Sequence, residues 1–371
     1  MRRALGWISV AVLLAAGGAA AFAGWKIYSF RESAWGDAAE KVVEVPAGAT
    51  PHQVVRLLAR NGVLSDERVA WAYVRWVKRD PRPMKAGEYA FQGPLRPDQA
   101  LERIYRGEVK TYRFTVAEGL RMEEIAGIIE RSGLGKASEL LPLMNDPLLA
   151  REMGVPFSTF EGYLFPDTYT FARNPKPQAV LAAMVARFKE AYHRADAQRL
   201  ADVKLDEGQA VTLASIVEKE TGRPDERPRI SCVFHNRLKK GIRLQTDPTV
   251  LYAKALRTGI WSQNITRSDL VTPHPYNTYT AAGLPPGPIA SPGSAALAAA
   301  LHPSECADLY FVSRNDGTHE FCPDLRCHAA AVRKWQVDYF HQRRAQASRA
   351  DPRPLSRPPK GVKKKRRHSR G

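Results

Sequence analysis

One glutamate in the stretch VTLASIVEKETGR stands among small apolar residues. At 100° per residue, a helix over residues 211–223 places Glu218 on the arc of Val211, Ala214 and Val217. The polar residues of this predicted amphipathic helix share the other arc: Thr212, Ser215 and Lys219. Because burial disfavours a charged carboxylate, we expect the pKa of Glu218 to be raised, so that its carboxyl group holds a proton near neutral pH.

A buried acid of this kind can break a glycosidic bond without a second carboxylate. It protonates the departing oxygen, and the resulting carboxylate then accepts the proton of the sugar's C6 hydroxyl, which closes onto C1 as a 1,6-anhydro product. Hydrolytic glycosidases need two carboxyl groups at a set distance, whereas Glu218 and Glu220 face opposite ways on a helix. Other acids that a paired mechanism could use are Glu161, Asp167 and Asp247. The alternative for Glu218 is a structural ion pair with Arg237, Arg243 or another basic residue.

Several other chemistries lack their motifs in this sequence. It contains no Walker loop, no G-x-G-x-x-G and no G-x-S-x-G, so phosphate cradling and a serine nucleophile are unsupported. The formal charge of +18 suggests nucleic acid, but residues 349–371 hold ten Lys and Arg against one Asp, which is nine of those charges. The rest of the chain is only mildly basic for its size, and no nucleic-acid partner is predicted.

The first thirty residues predict a membrane anchor. Two arginines precede an uncharged run over residues 4–25, which would span about 33 Å as a helix, enough for a bilayer core. Trp7 and Trp25 lie where interfacial aromatic residues belong, and the arginines favour a cytoplasmic N-terminus. The alternative is a signal peptide cleaved at the A-x-A pattern of residues 19–21. Under either interpretation the remainder of the chain is exported.

Four cysteines follow in the exported part, where disulfides are permitted: Cys232, Cys306, Cys322 and Cys327. We expect a disulfide among the last three, with its pairing open, and Cys232 as a core residue in an apolar run. The segment HEFCPDLRCH resembles a metal cluster, but its Cys residues are spaced more widely than zinc sites prefer. No metal site is therefore predicted.

An internal repeat organises the first half of the chain. VPAGATPHQVVRLLARNGVL, residues 45–64, aligns without gaps on VAEGLRMEEIAGIIERSGLG, residues 116–135. Each copy predicts a short strand, a turn that contains Gly, a helix and a Gly after the helix. Further along, residues 206–240 predict two helices, and Asn315-Asp316-Gly317 predicts the turn of a β-hairpin.

Motifs in the second half resemble the YceG/MltG family of membrane-anchored endolytic murein transglycosylases. They are LASIVEKETG, VFHNRLKKGIRLQTDPTVLY, PYNTYTAAGLPPGPIASPG and HPSECADLYFVSRNDGTHEF, with EGYLFPDTYTF upstream. The similarity runs from about residue 40 to residue 345. It implies an α+β fold with an N-terminal transmembrane helix, a LysM-like β-α subdomain and a mixed α/β catalytic domain. The basic C-terminal tail and the hairpin cysteines depart from the family pattern.

With this resemblance, we expect five successive parts. They are a cytoplasmic start and transmembrane anchor at 1–30, a stalk at 31–40, the LysM-like subdomain at 41–110, the catalytic transglycosylase domain at 111–347 and a disordered basic tail at 348–371. For the tail, contact with anionic lipid headgroups or acidic wall polymers is the alternative to a solvated end.

The resemblance also assigns site residues. It implies that Glu218 is the catalytic acid and then the base, and that Glu220 is not the catalytic position. Residues implied to line the substrate cleft are Gln245, Asp247, Thr249, Asn277 and Tyr279. The alternative for Asp247 and Asn277 is that they hold turns.

The implied reaction is endolytic cleavage between N-acetylmuramic acid and N-acetylglucosamine in peptidoglycan strands, which terminates or trims nascent strands and leaves 1,6-anhydroMurNAc ends. The resemblance implies no cofactor, peptidoglycan synthases (penicillin-binding proteins) as partners, and a single-pass inner-membrane protein with a cytoplasmic N-terminus and a periplasmic catalytic domain. The alternatives are a non-catalytic peptidoglycan-binding scaffold, a pyridoxal-phosphate lyase and a basic nucleic-acid binder. The lyase is disfavoured because Lys219 lies on the polar arc and an exported chain would have to acquire the cofactor.

Overall fold

The computed structural model describes residues 2–195 and 197–350, which form two compact units that divide between Ala191 and Tyr192. Helices predominate in both units, and the described strands form three two-stranded antiparallel sheets. The mixed α/β architecture predicted from the sequence is confirmed. The predicted tail, apart from residues 348–350, lies outside the described residues.

The first unit alternates strands and helices. Its helices are α1 (Arg2–Glu32), α2 (Pro51–Arg60), α3 (Glu67–Ala72), α4 (Pro97–Arg106), α5 (Met122–Arg131), α6 (Ala137–Met144), α7 (Pro147–Glu152) and α8 (Pro177–Arg194), the last of which ends beyond the division. Its strands are β1 (Lys41–Val45), β2 (Gly87–Phe91), β3 (Thr111–Thr115) and β4 (Thr168–Ala172). A π-helical turn, Tyr73–Lys78, continues α3.

Helix α1 contains a segment, Val10–Glu32, that is long and apolar enough to cross a membrane. This finding fits the predicted anchor. The last turn of α1 is different, because Phe30 is buried in the first unit's core and its ring lies 5.9 Å from that of Tyr73. The helix therefore runs directly into a folded unit, and its end at Glu32 lies two residues inside the segment predicted as a stalk.

The internal repeat corresponds to two similar strand–helix pairs, β1 with α2 and β3 with α5. Gly48 and Gly119 take φ of 76° and 74° in the turn after each strand, where a side chain would be strained. Each first strand pairs antiparallel with a later one, β1 with β2 and β3 with β4. Both copies lie in the first unit, and the predicted boundary at residues 110 and 111 falls between them. The assignment of residues 41–110 as LysM-like stays a prediction.

The second unit is built around one buried helix, α10. The helices are α9 (Leu200–Val203), α10 (Glu207–Glu220), α11 (Arg227–Lys239), α12 (Asp247–Thr258), α13 (Arg267–Val271), α14 (Ser294–Leu301), α15 (Leu325–Val332) and α16 (Tyr339–Ala350). Strands β5 (Tyr310–Ser313) and β6 (His319–Cys322) form the predicted hairpin, with Ser313 opposite His319. Helices α11 and α14 pack against α10 and against each other.

The prediction that α10 is amphipathic is wrong. Thr212 and Ser215, placed on its polar arc, are as buried as the apolar residues beside them. Their hydroxyl groups need no water, because each donates to a backbone carbonyl within the helix, to Gly208 and Thr212 respectively, at 2.7 Å. Residues 210–217 are therefore all buried by neighbouring segments. Glu218 and Glu220 follow directly after this buried part, in the last turn of the helix.

Candidate functional site

Helix α10 presents its glutamates from a well-defined frame. Asp206 caps the N-terminus, accepting from the Gln209 N–H at 2.7 Å, while the Gln209 side chain accepts from the Asp206 N–H in return. The helix ends at Glu220, and Thr221 already has extended backbone. Glu218 and Glu220 therefore both lie in the last turn, where the surrounding segments hold them on opposite sides.

Glu218 is held by an arginine and a backbone amide. Its Oε1 lies 2.7 Å from the Arg227 Nη2 at the start of α11, and both side chains are only 6% exposed. Its Oε2 accepts the Gly293 N–H at 3.0 Å, just before α14. The structural alternative was an ion pair with Arg237, Arg243 or another basic residue, and the structure shows such a pair, with Arg227. Both contacts favour the carboxylate form, because a guanidinium and an N–H group donate to it.

Glu220 has the environment that the sequence led us to expect for Glu218. Its Oε1 accepts a hydrogen bond from the Thr246 hydroxyl. Although the residue reaches the surface of a cleft, its carboxyl group lies beneath that surface. Loss of water around the carboxyl group raises the pKa of Glu220 to about 7, with a smaller contribution from Asp247 and opposition from Thr246 and Arg237.

This cleft, of about 390 Å³, brings together three of the five predicted substrate-binding residues: Gln245, Asp247 and Tyr279. The Tyr279 hydroxyl donates to Asp247 Oδ1 at 2.7 Å. Gln245 has left-handed backbone, φ 49°, a strained conformation that often accompanies a functional position. The lining of the cleft thus offers carboxyl, amide and aromatic groups, a combination that suits the hydroxyl groups and ring faces of a sugar.

Thr249 and Asn277, also predicted to bind substrate, lie behind the cleft wall and are almost fully buried. The Thr249 hydroxyl lies 2.8 Å from that of Thr278 and donates to the Thr246 carbonyl at 2.7 Å. The Asn277 amide donates to backbone carbonyls, including that of Thr272 at 2.8 Å. These bonds hold the loop that carries Tyr279. For Asn277 this agrees with the alternative that its side chain holds a turn. Their contact with substrate stays a prediction.

The sequence suggested Arg237 only as a possible ion-pair partner of Glu218, whereas the structure places it in α11, where it supports the cleft. It is buried, donates to the carbonyls of Leu309 and Leu244 at 2.6 Å, and stacks over the ring of Tyr310 with 4.8 Å to the centroid. Desolvation lowers the pKa of Arg237. Arg227 was missed, because nothing in the sequence shows that the turn after α10 returns the chain to Glu218.

The predicted disulfide among Cys306, Cys322 and Cys327 is confirmed between Cys322 and Cys327, whereas the prediction for Cys232 needs correction. Cys232 is buried as expected, but it forms a disulfide with Cys306, and a second disulfide joins Cys322 to Cys327. The Cys232–Cys306 disulfide joins α11 to the segment before β5. The sequence had led us to expect a disulfide only among the other three cysteines. The second disulfide encloses Leu325, one of the residues that line the cleft. Sequence spacing alone does not reveal such pairings.

Comparison with known proteins agrees with the resemblance seen in the motifs. The model of the YceG-like family matches residues 43–334. A Bacillus subtilis (strain 168) protein named endolytic murein transglycosylase is 29% identical over 310 residues, which cover 79% of this chain and 84% of that protein. A Streptococcus pneumoniae (strain D39) protein of the same name is 26% identical over 307 residues, which cover 73% of this chain and 54% of that protein.

A solved structure resembles the fold as well. The crystal structure of a YceG-like protein from Listeria monocytogenes is 30% identical and superposes with a TM-score of 0.55, covering 78% of this chain and 98% of that one. The family match spans well over half of the 371 residues. The chain therefore belongs to the YceG-like family.

Proposed function

We propose that this protein is a membrane-anchored endolytic lytic transglycosylase of peptidoglycan, with Glu218 as its catalytic acid and base. The family match and the two relatives named endolytic murein transglycosylases support the reaction class. The residue assignment is carried by the VEKE motif, which resembles the family's at Glu218. The structure adds that this carboxyl group is buried and held in one orientation by Arg227 and the Gly293 N–H.

The proposed reaction uses one proton twice. The Glu218 carboxyl group gives its proton to the glycosidic oxygen as the bond from C1 of N-acetylmuramic acid breaks. The C6 hydroxyl oxygen of the same sugar bonds to C1, and its proton returns to the Glu218 carboxylate. No water is consumed, and the new end is a 1,6-anhydro sugar.

Arg227 has a defined part in this cycle. It donates to the carboxylate, so it stabilises Glu218 during the interval between the two proton transfers. The same contact opposes the protonated form, which means that Glu218 must take up its proton as the glycan displaces water from the site. Arg227 is thus proposed as a positioning residue that keeps the carboxylate oriented.

Glu220 is the rival for the acid role within the same reaction. Its raised pKa, about 7, would keep part of it protonated at neutral pH, and it lies in the cleft with Gln245 and Asp247. We assign the acid role to Glu218 because the VEKE motif resembles the family's at that position. In this proposal Glu220 donates a hydrogen bond to a bound sugar, together with Gln245, Asp247 and Tyr279.

The anchor and location complete the proposal. We propose that α1 crosses the inner membrane once, with its N-terminus in the cytoplasm and both compact units in the periplasm. Arg2 and Arg3 before the apolar run support that orientation. Action at the membrane would place the enzyme beside peptidoglycan synthases, which we propose as partners in terminating nascent strands.

Digestion of purified sacculi by the full chain tests the reaction class. We expect soluble muropeptides whose masses are 18 Da below those of hydrolytic products, together with long fragments from cleavage inside strands. Products that carry the added water would identify a hydrolase instead. Binding to sacculi with no release of fragments would identify the non-catalytic scaffold.

A further inference from the structure

An exposed surface lies beside the end of α1, and the site described above does not use it. We call it the basic-aromatic surface and define it by Arg75, Trp76, Val77 and Arg79. Trp76 is 62% exposed and Val77 is 49% exposed. Large apolar side chains next to one another in water are uncommon on a soluble surface and indicate an interaction site.

The π-helical turn Tyr73–Lys78 explains why these side chains point outward together. The Arg79 N–H donates to the Val74 carbonyl at 3.2 Å, which widens the turn. Tyr73 and Val74 are buried, while the next three residues are exposed in succession. Arg79 then takes left-handed backbone, φ 43°, and ends the turn.

The turn is attached to the end of the membrane helix. The Asp98 carboxylate accepts from the Tyr73 hydroxyl at 2.5 Å and from Lys78 Nζ at 3.1 Å, and it lies 3.6 Å from Arg31 Nε. The Phe30 ring contacts that of Tyr73. Since Phe30 and Arg31 belong to the last turn of the segment that fits a bilayer, the basic-aromatic surface must lie at or near the headgroup level.

The charges of this region favour an anionic partner. Arg82 is neutralised by Asp80 and Glu102, each at 2.7 Å. Within the described part of the chain, Arg75 and Arg79 form no ion pair, and both are exposed. With Trp71 and Tyr105, these two arginines line an open pocket of about 710 Å³, which is large enough for a lipid headgroup.

We propose that the basic-aromatic surface lies on the membrane and binds the phosphate groups of anionic phospholipids. Trp76 and Val77 enter the interface, as tryptophan does at bilayer surfaces, and Arg75 and Arg79 receive the phosphates. The first unit is then held in one orientation on the leaflet that α1 leaves. This inference rests on the proposed function only in that α1 spans the bilayer.

A fluorescent probe at position 77 tests the docking. The four native cysteines form two disulfides, so Val77→Cys adds a single reactive thiol for an environment-sensitive dye. The labelled full chain is placed in nanodiscs of phosphatidylcholine, with or without 30% phosphatidylglycerol. We expect emission at 77 to rise at least two-fold and shift to the blue only with phosphatidylglycerol. The matched control, Leu148→Cys, is also exposed in the first unit and should not respond.

Arg75→Gln with Arg79→Gln should reduce the ratio of docked to undocked protein about thirty-fold, at the usual contribution of a basic residue near an anionic surface. Equal emission at 77 in both nanodiscs, from protein that has entered them, contradicts the docking and leaves the anchor intact. Failure to enter nanodiscs contradicts the anchor and the docking together. A response at 77 to soluble glycan fragments without lipid would show that the pocket binds sugar instead.

Discussion

Glu218 and Glu220 leave the same helical turn in opposite directions and meet different ends of helix α11. Glu218 contacts Arg227 at the start of α11, whereas Glu220 lies near Arg237, ten residues and about 15 Å further along that helix. One carboxyl group is gripped by a cation and the other is desolvated in a cleft. The role of Glu218 and the role of Glu220 can therefore be tested by separate substitutions.

Glu220→Gln should change how stability depends on pH. The pKa of Glu220 is raised from 4.5 in the unfolded chain to about 7 in the fold, so folding tolerates the neutral form better than the charged one. The wild type should lose stability, on the order of 3 kcal/mol at most, as pH rises from 4.5 through 7. Glu220→Gln mimics the neutral form and should keep that stability at pH 8.

Urea unfolding of the full chain in detergent at pH 4.5 and pH 8 measures this difference. Glu152→Gln, at an exposed carboxyl group of the first unit, is the matched control and should follow the wild type. Parallel pH curves for the wild type and Glu220→Gln would show that the Glu220 carboxyl group is not desolvated.

Gln245→Gly should separate a structural role from a ligand-binding role. The φ of 49° at Gln245 suits glycine, and the relief of strain roughly offsets the greater freedom of glycine in the unfolded chain. We expect stability to change by less than about 1 kcal/mol, while KM for glycan strands rises several-fold because an amide is lost from the cleft. Unchanged KM would remove Gln245 from the substrate contacts.

Arg227→Gln should lower activity more than Arg227→Lys. Removing the cation takes the Arg227 contact from the buried Glu218 carboxylate, which costs on the order of 3 kcal/mol, and it loosens the orientation of the carboxyl group. We expect at least a ten-fold fall in kcat for the glutamine variant and partial recovery with lysine, with sacculus binding retained. If both variants kept full kcat, Arg227 would have no part in the cycle.

The two disulfides should contribute unequally to stability. Cys232 and Cys306 are 74 residues apart, and Cys322 and Cys327 only 5. By loop-closure entropy the first contributes about 4 kcal/mol and the second about 2 kcal/mol. Paired Cys→Ala variants, compared by urea unfolding, should show this order. The second pair should also affect KM, since Leu325 lines the cleft. A larger loss from the short loop would contradict this account.

Local patterns predicted the elements well and the contacts between them poorly. The repeat, the hairpin turn and the apolar first helix follow from residue spacing, which is read within one element. The burial of Thr212 and Ser215 does not follow from residue spacing, because polar residue types suggest a face exposed to solvent. In the fold, their hydroxyl groups form hydrogen bonds within the helix instead.

The candidate site shows the same limit. Gln245, Asp247 and Tyr279 were predicted from motifs and do converge in one cleft. The partners of Glu218 and Glu220 come from α11 and from the segments just before α12 and α14. Local sequence patterns do not show that the chain brings these segments back to the end of α10. Hence the Glu218–Arg227 pair, the position of Arg237 beside the cleft and the Cys232–Cys306 disulfide are seen only in the folded chain.

Release of anhydro-muropeptides from sacculi at pH 7 by Glu218→Gln and Glu220→Gln, side by side, tests the central assignment most directly. Each change removes one carboxyl group and keeps its size. We predict at least a thousand-fold loss for Glu218→Gln and less than a ten-fold loss for Glu220→Gln, because only the first would remove the acid and base. Full activity in Glu218→Gln, with loss in Glu220→Gln, would contradict the account and move the acid into the cleft.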